Sequence, residues 1–348
     1  MIGIFLPVFL IYSFGLLSLL GINQAYFYNQ LAYLVAGLTV YFVVKKVGRR
    51  YFEINSYLFY WLLIVLLLVT FFVGLEVKGS RRWLTLYFFN LQSSEILKVF
   101  FIMFLSQFLA KKHIGVNKRV IFALSLMYFV IPFVIIFKQP DLGNALVYGA
   151  IFLVMVMLSD LPNRYLMNLG LTLVMFLPLG WLILKPYQKL RLLSFVSPHT
   201  DPQGVSYNMI QAVITIGSGK FFGRGLGLGT QSRFYFLPEN HTDFAFASLV
   251  EQFGFFGGFI VLSLFAVMVY FMIKEFLKYV NSRDEENRSI FLFYAGFITY
   301  VVFQIIVNVG MNLGVLPVAG IALPLISYGG SAFMSFMIGL ALFPDNRS

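Results

Sequence analysis

Long apolar blocks separated by short polar ones recur from the beginning of the chain to its end. A bilayer core about 30 Å thick takes about 20 mostly apolar helical residues, because lipid leaves every backbone amide to be satisfied within its own segment. That criterion predicts ten helical spans, approximately Ile4 to Leu20, Tyr28 to Val44, Tyr57 to Leu75, Glu95 to Ala110, Val120 to Phe137, Asp141 to Leu158, Tyr165 to Leu184, Asp243 to Ile273, Ile290 to Met311 and Leu323 to Phe343. The expected fold is therefore an all-α polytopic membrane protein. No polar linker divides the blocks, which predicts one membrane domain over residues 1–348. The first block has neither a basic leader nor a small-residue cleavage site, and reads as a span rather than a cleaved signal peptide.

Short loops rich in Lys and Arg stay in the cytoplasm. Lys45, Lys46, Arg49 and Arg50 fall in one loop, Lys111, Lys112, Lys118 and Arg119 in the next but one, and Lys274, Lys278, Arg283 and Arg288 in a third on the same side. Both termini are thus expected to face the cytoplasm. The opposite face receives a loop from Leu75 to Gln92 and a much longer one, about 185–242, between the seventh and eighth spans. Unstructured connections longer than about 12–15 residues are uncommon and usually functional. Within this one, Tyr207 to Ile216 is amphipathic and fits a helix lying in the membrane interface.

Composition sharpens the picture. Hydrophobic residues make up 60% of the chain and charged ones 11%, against ~25% charged in a soluble domain, so a water-soluble fold is excluded. A net charge of +11 raises nucleic acid as a partner, yet the cations sit in small clusters between apolar runs and not on one basic, aromatic face. They fit topology-setting charge beside anionic lipid. With no cysteine, thiol catalysis, disulfides and Cys-ligated metals are out.

The polar residues gather at one set of helix mouths. In Phe236-Leu237-Pro238-Glu239-Asn240-His241-Thr242-Asp243-Phe244, three ionisable groups precede a very apolar span. Ionisable groups at a membrane boundary are candidates for function; the same pattern also fits an Asp cap with solvated neighbours. Upstream lies a glycine-rich run, Gly217 to Gly229, containing Lys220 and Arg224. It fails the Walker and dinucleotide patterns. Its freed amides and nearby cations suit a phosphate, and a surface or re-entrant loop suits the pattern as well.

Three more places carry charge into or beside the apolar spans. Glu95 and Lys98, three residues apart, share a helix face and fit an ion pair. Asp141, after Pro140, fits a helix cap at a positive dipole end. Glu251 lies two turns beyond Asp243, where a carboxylate must be paired, protonated or turned to a polar cavity. Arg81, Arg82, Lys185, Lys189 and Arg191 stand in the two large outer loops, against the usual charge bias, and suit either a lipid diphosphate or headgroups. Asn308, Asn312, Pro317, Pro324 and Ser327 to Ser331 break the last two spans, a pattern that fits a transporter as well as an enzyme.

Taken together, Lys78 to Trp83, Ser94 to Lys98, Gln139 to Gly143, Tyr207 to Gly229, Leu237 to Phe244 and Leu316 to Ser331 resemble the SEDS family of shape, elongation, division and sporulation proteins, over nearly the whole chain. One departure is Ser93, where the family usually has Pro. The short ends resemble the elongation branch more than the division branch.

The resemblance implies a peptidoglycan polymerase that joins lipid II disaccharides by inverting transfer and expels undecaprenyl diphosphate, working at the outer face of a bacterial cytoplasmic membrane beside a class B penicillin-binding protein. It implies that Asp243 takes the proton from the acceptor's 4-hydroxyl, and that Glu95, Lys98 and Asp141 matter to the same site. Inverting single displacement needs a base and cationic help for the leaving group, but no covalent nucleophile. On that reading His241 and Glu239 position Asp243, while Lys98, Arg191, Lys220, Arg224, Arg81 and Arg82 serve the diphosphate. A divalent cation, Mg or Mn, has room to bridge diphosphate and carboxylate, although no ligand spacing announces one. The rival readings are a lipid II flippase and a non-catalytic scaffold for the penicillin-binding protein.

Overall fold

The computed structural model describes residues 2–77, 80–86, 89–183, 189–190, 193, 195, 205–282 and 284–344. Lys78, Gly79, Lys185 and Arg191 of the sequence reading lie outside the described residues. Helices α1 (Ile2–Ile22), α2 (Gln24–Val47), α3 (Arg49–Ile54) and α4 (Ser56–Val73) are followed by strands β1 (Leu75–Val77), β2 (Ser80–Leu86) and β3 (Phe89–Gln92). Then come α5 (Ser93–Ala110), α6 (Lys118–Lys138), α7 (Leu142–Met157), α8 (Arg164–Ile183), α9 (Val205–Ser218), α10 (Thr230–Arg233), α11 (Ala245–Leu277), α12 (Glu285–Asn312) and α13 (Gly330–Ala341).

Seven of the described helices are long and apolar enough to cross a membrane, and three shorter apolar helices, Leu142–Met157, Arg164–Phe176 and Gly330–Ala341, stand where three more spans are expected. The protein is a multi-pass membrane protein. Asx side chains start several helices by accepting from exposed amides: Asn23 from Ala25 N at 2.8 Å, Asn117 from Arg119 N at 2.9 Å, and Asp141 from Asn144 N at 3.3 Å.

The chain divides into two compact units. One comprises Met1–Leu31, Met167–Val269 and Gln304–Tyr328; the other comprises Ala32–Leu166, Tyr270–Phe303 and Gly329–Ser348. In the second unit α5 is the central element, packed against α4, α7 and α13, with 83% of its length buried against 22% for α6. The connection between α4 and α5 forms a three-stranded antiparallel sheet in the order β1-β2-β3, with Trp83 opposite Gln92 and Glu76 opposite Arg81. Its strands are too short for a period-2 pattern to stand out, so the sequence reads there only as a loop.

Two further differences concern irregular backbone. The segment at 185–242 contains α9 over the expected amphipathic stretch. After α9 the glycine-rich run lies against a break in α11 at Gly254, whose φ of 72° is left-handed. Phe255 N and Phe256 N, which lose helical partners at the break, donate to Lys220 O and Phe221 O at 2.9 and 3.0 Å. In return Arg224 N and Gly225 N donate to Glu251 O and Gln252 O at 2.9 and 3.1 Å. A Cβ at Gly223 would stand 2.2 Å from Gln252 O, and one at Gly254 would stand 2.2 Å from Gly223 N. These glycines are there so that two backbones can touch. The last expected span, Leu323 to Phe343, is helical only from Gly330 to Ala341; before it, Ser327 Oγ accepts from Leu323 N at 2.8 Å in an irregular stretch.

Gly254→Ala should lower the thermal midpoint of the purified protein by several degrees, since the left-handed conformation alone costs about 1–3 kcal/mol. Gly170→Ala, where an added Cβ meets nothing within 4 Å, should leave the midpoint unchanged or raise it, as differential scanning fluorimetry in detergent will show.

Candidate functional site

Within the first unit, Asp243 stands two residues before α11, on the segment that links α10 to it. Its backbone carbonyl accepts from two buried carboxamides of α12, Asn308 Nδ2 at 2.9 Å and Asn312 Nδ2 at 3.1 Å. Asn308 Nδ2 also donates to Ile321 O at 2.7 Å, and Asn312 Oδ1 accepts from Ala247 N at 3.0 Å. Both side chains are 0% exposed, and a buried amide is retained where its hydrogen bonds are made. The neighbouring peptides are held as well: Ser327 Oγ donates to Thr242 O at 2.6 Å, and Tyr328 N donates to His241 O at 2.8 Å. A Cβ on Gly320 would lie 3.6 Å from Asp243 Oδ2.

The expected neighbours of Asp243 have partners of their own. Glu239 Oε2 accepts from Thr242 Oγ1 at 2.9 Å, and Glu239 O accepts from Thr242 N and Phe244 N at 3.2 and 3.1 Å. His241 pairs through Nδ1 with Asn240 Oδ1 at 3.1 Å and stacks on Tyr26, with centroids 4.3 Å apart and planes 11° from parallel. Tyr328 completes this aromatic group at 5.7 Å from His241. In the sequence Asn308, Asn312 and Ser327 read only as interruptions of spans, and Tyr26 carries no signal. The roles of the two asparagines depend on contacts some 65 residues distant, which no local pattern announces.

Lys220 and Arg224 have exposed side chains, and Arg224 Nε donates to Ser218 O at 3.2 Å. Their backbones pair with residues 251 and 255 of α11, about 12–18 Å beyond Asp243 at ~1.5 Å per helical residue. The amides of Gly223, Arg224, Gly225, Gly227 and Leu228 are all engaged within the protein. These five amides of the glycine run are therefore taken up by contacts within the protein.

In the second unit, Lys98 is 0% exposed and donates to Glu95 Oε2 at 2.6 Å and Asn144 Oδ1 at 2.9 Å, with its ammonium 4.8 Å from the centre of the Tyr300 ring. Asp141 caps α7, and its Oδ2 accepts from Asn144 Nδ2 at 2.9 Å and Gln92 Nε2 at 3.2 Å. Arg82 reaches Asp141 Oδ1 at 3.8 Å and donates to Gln139 O and Pro140 O. Arg81 pairs with Glu76 across β1 and β2 at 3.1 Å in the open. Glu95, Lys98, Asp141 and Arg82 thus form one network through Asn144, as the sequence spacing of each alone does not reveal.

A cavity of about 540 Å³ in the second unit is lined by Arg50, Glu53, Tyr57, Gln107, Lys111 and Glu285 among others; none of the candidate site residues borders it. Among the described residues, no group of three or more His, Asp or Glu is placed to hold a metal ion.

The chain matches the family described as "Cell cycle protein", the FtsW, RodA and SpoVE group, over residues 1–345. It is similar to a protein of Marinomonas mediterranea named "Probable peptidoglycan glycosyltransferase FtsW", at 34% identity over 319 residues that cover 90% of this chain and 77% of the relative. It is also similar to "Peptidoglycan glycosyltransferase MrdB" of Escherichia coli, at 32% identity over 323 residues covering 90% and 83%. Among solved structures it resembles a chain described under "Structural coordination of polymerization and crosslinking by a peptidoglycan synthase complex", with a TM-score of 0.83, 30% identity and coverage of 99% of this chain and 96% of that one. The rod shape determining protein RodA of Thermus thermophilus gives a TM-score of 0.72 at 27% identity, covering 98% and 94%. With the family's motifs present from Arg81 to Ser331, this chain belongs to the FtsW, RodA and SpoVE family, the SEDS proteins.

Proposed function

We propose that the chain is a peptidoglycan glycosyltransferase that polymerises lipid II into glycan strands at the outer face of the bacterial cytoplasmic membrane, for elongation and cell shape, beside a class B penicillin-binding protein. The activity is the one that relatives of 32 and 34% identity carry in their names. The observation that carries the site assignment is the grip on Asp243: four hydrogen bonds from Asn308, Asn312, Ser327 and Tyr328 hold the backbone of residues 241–243 at the mouth of an apolar helix. Such fixation suits a group that must meet a substrate atom in one geometry.

Asp243 acts as general base. It takes the proton of the acceptor's 4-hydroxyl as that oxygen bonds to the anomeric carbon of the donor, while the bond from that carbon to the diphosphate breaks and undecaprenyl diphosphate departs. Single displacement inverts the anomeric centre. His241 and Glu239 shape the same loop through Asn240 and Thr242. Lys98 and Glu95 keep the second unit's network ordered, with two of the three ammonium donors of Lys98 given to Glu95 and Asn144.

A flippase is the rival reading, supported by the interrupted helix α11. One assay separates the two. Full-length protein with labelled lipid II and its penicillin-binding partner should form polymer, and Asp243→Asn should reduce the rate at least 100-fold, the order that removal of a general base costs. Undiminished polymer from Asp243→Asn contradicts the base assignment; lipid II crossing vesicle bilayers with no polymer from wild type favours the flippase.

Lys98→Met should destabilise the protein by about 3–5 kcal/mol, because Glu95 is left buried without its cation. Glu95→Gln with Lys98→Met should recover much of that stability in denaturation in detergent. Recovered stability with recovered polymerisation assigns the pair to structure, and recovered stability without activity assigns Lys98 to the substrate.

A further inference from the structure

Glu251 is 0% exposed and takes no part in the proton transfer assigned to Asp243. Its carboxylate accepts from Gln231 N at 2.8 Å and Ser232 N at 2.9 Å, both in α10, and from Ser218 Oγ at 3.4 Å. All three donors are neutral. Hydrogen bonds to a charged acceptor are the stronger kind, and a carboxylate in an apolar surrounding depends on them.

The two residues whose amides are held pass the restraint onward. Gln231 O accepts from Leu237 N at 3.1 Å, and Ser232 O accepts from Asn240 Nδ2 at 2.6 Å. The first of these uses the same peptide unit whose N–H, on Ser232, binds the carboxylate, so each bond polarises the other. Asn240 then contacts His241 Nδ1 at 3.1 Å, and its carbonyl accepts from Ser248 Oγ at 2.8 Å, one turn short of Glu251 on α11. A closed circuit results: α11 supplies the anion, the anion fixes α10, and α10 fixes the segment 237–240 that leads back to Asp243.

Gly229 belongs to the same device. Its φ of −68° and ψ of 118° suit any residue, yet a Cβ there would lie 2.5 Å from Glu251 Oε2. A side chain there would have to displace the carboxylate, whereas the turn itself would accept it.

We propose that Glu251 is a positioning residue for glycosyl transfer, a buried anion that orients the Asp243 loop by holding the amides of Gln231 and Ser232. The proposal rests on the functional reading above. Of the settings the sequence leaves open for Glu251, the structure shows a partnered one, with two backbone amides and a hydroxyl as donors.

The test uses the full-length chain in lipid nanodiscs, alone for hydrogen–deuterium exchange and with its penicillin-binding partner for polymerisation of labelled lipid II. Glu251→Gln keeps the shape but replaces one acceptor oxygen with a donor; Gly229→Ala displaces the carboxylate and leaves its charge. Both should speed exchange at Gln231 and Ser232 at least tenfold and lower kcat at least tenfold. KM for lipid II should stay within about twofold, and thermal midpoints within a few degrees. Glu251→Asp should recover part of the rate. Unchanged exchange in the two variants overturns the proposal, as does a loss of rate that only tracks the loss of folded protein, or failure of both variants to fold. A wild-type chain that makes no polymer overturns the functional reading instead, and the exchange result then decides the tether by itself.

Discussion

A backbone amide in hydrocarbon has no water to turn to, so each departure from helix inside a membrane protein must be matched by another stretch of the same chain. This constraint organises the first unit. The break at Gly254 is matched by the carbonyls of Lys220 and Phe221, and the glycine-rich run is matched in turn by the carbonyls of Glu251 and Gln252. At the far side of α12, Asn308 and Asn312 supply side-chain amides to Ile321 O and Asp243 O. Pairing of this kind holds the break in α11 and the segment that carries Asp243. The Asp243 loop is held from two directions, by carboxamides of α12 on its carbonyl and by the Glu251 carboxylate through α10.

The second unit meets the same demand with charge. Lys98 and Glu95 lie inside a helix that is almost wholly enclosed, and Asn144 joins them to the Asp141 cap and to Gln92. Burying either charge alone is costly, whereas the pair with its hydrogen bonds is tolerable. The result links the N-terminal turns of α5 and α7 to the small sheet, through Arg82 on β2 and Gln92 at the end of β3.

Most of the fold is legible in the sequence because lipid imposes length and polarity on each span: among the described residues an apolar helix falls in each of the ten expected blocks, although the last is helical only from Gly330 and the eighth is broken at Gly254. What the sequence hides has a common cause. Asn308 and Asn312 look like defects in a span until their partners across the chain are known. Gly217 to Gly229 reads as a loop or a phosphate cradle, and the close approach of its backbone to α11 has no local signature. The sheet at 75–92 is too short for alternation to register. The Asp243 motif was the part of the candidate site most visible in advance, because its ionisable residues are contiguous; the Glu251 tether was invisible because amides carry no sequence signature.

The central claim is that a fixed carboxylate at position 243 removes a proton in the rate-determining transfer. Its most direct test is the pH dependence of lipid II polymerisation in wild type and Asp243→Asn under saturating substrate. The account predicts that the wild-type rate falls on the acidic side through a single protonation, and that the residual rate of Asp243→Asn lacks this limb. An identical acidic limb in both proteins would contradict it.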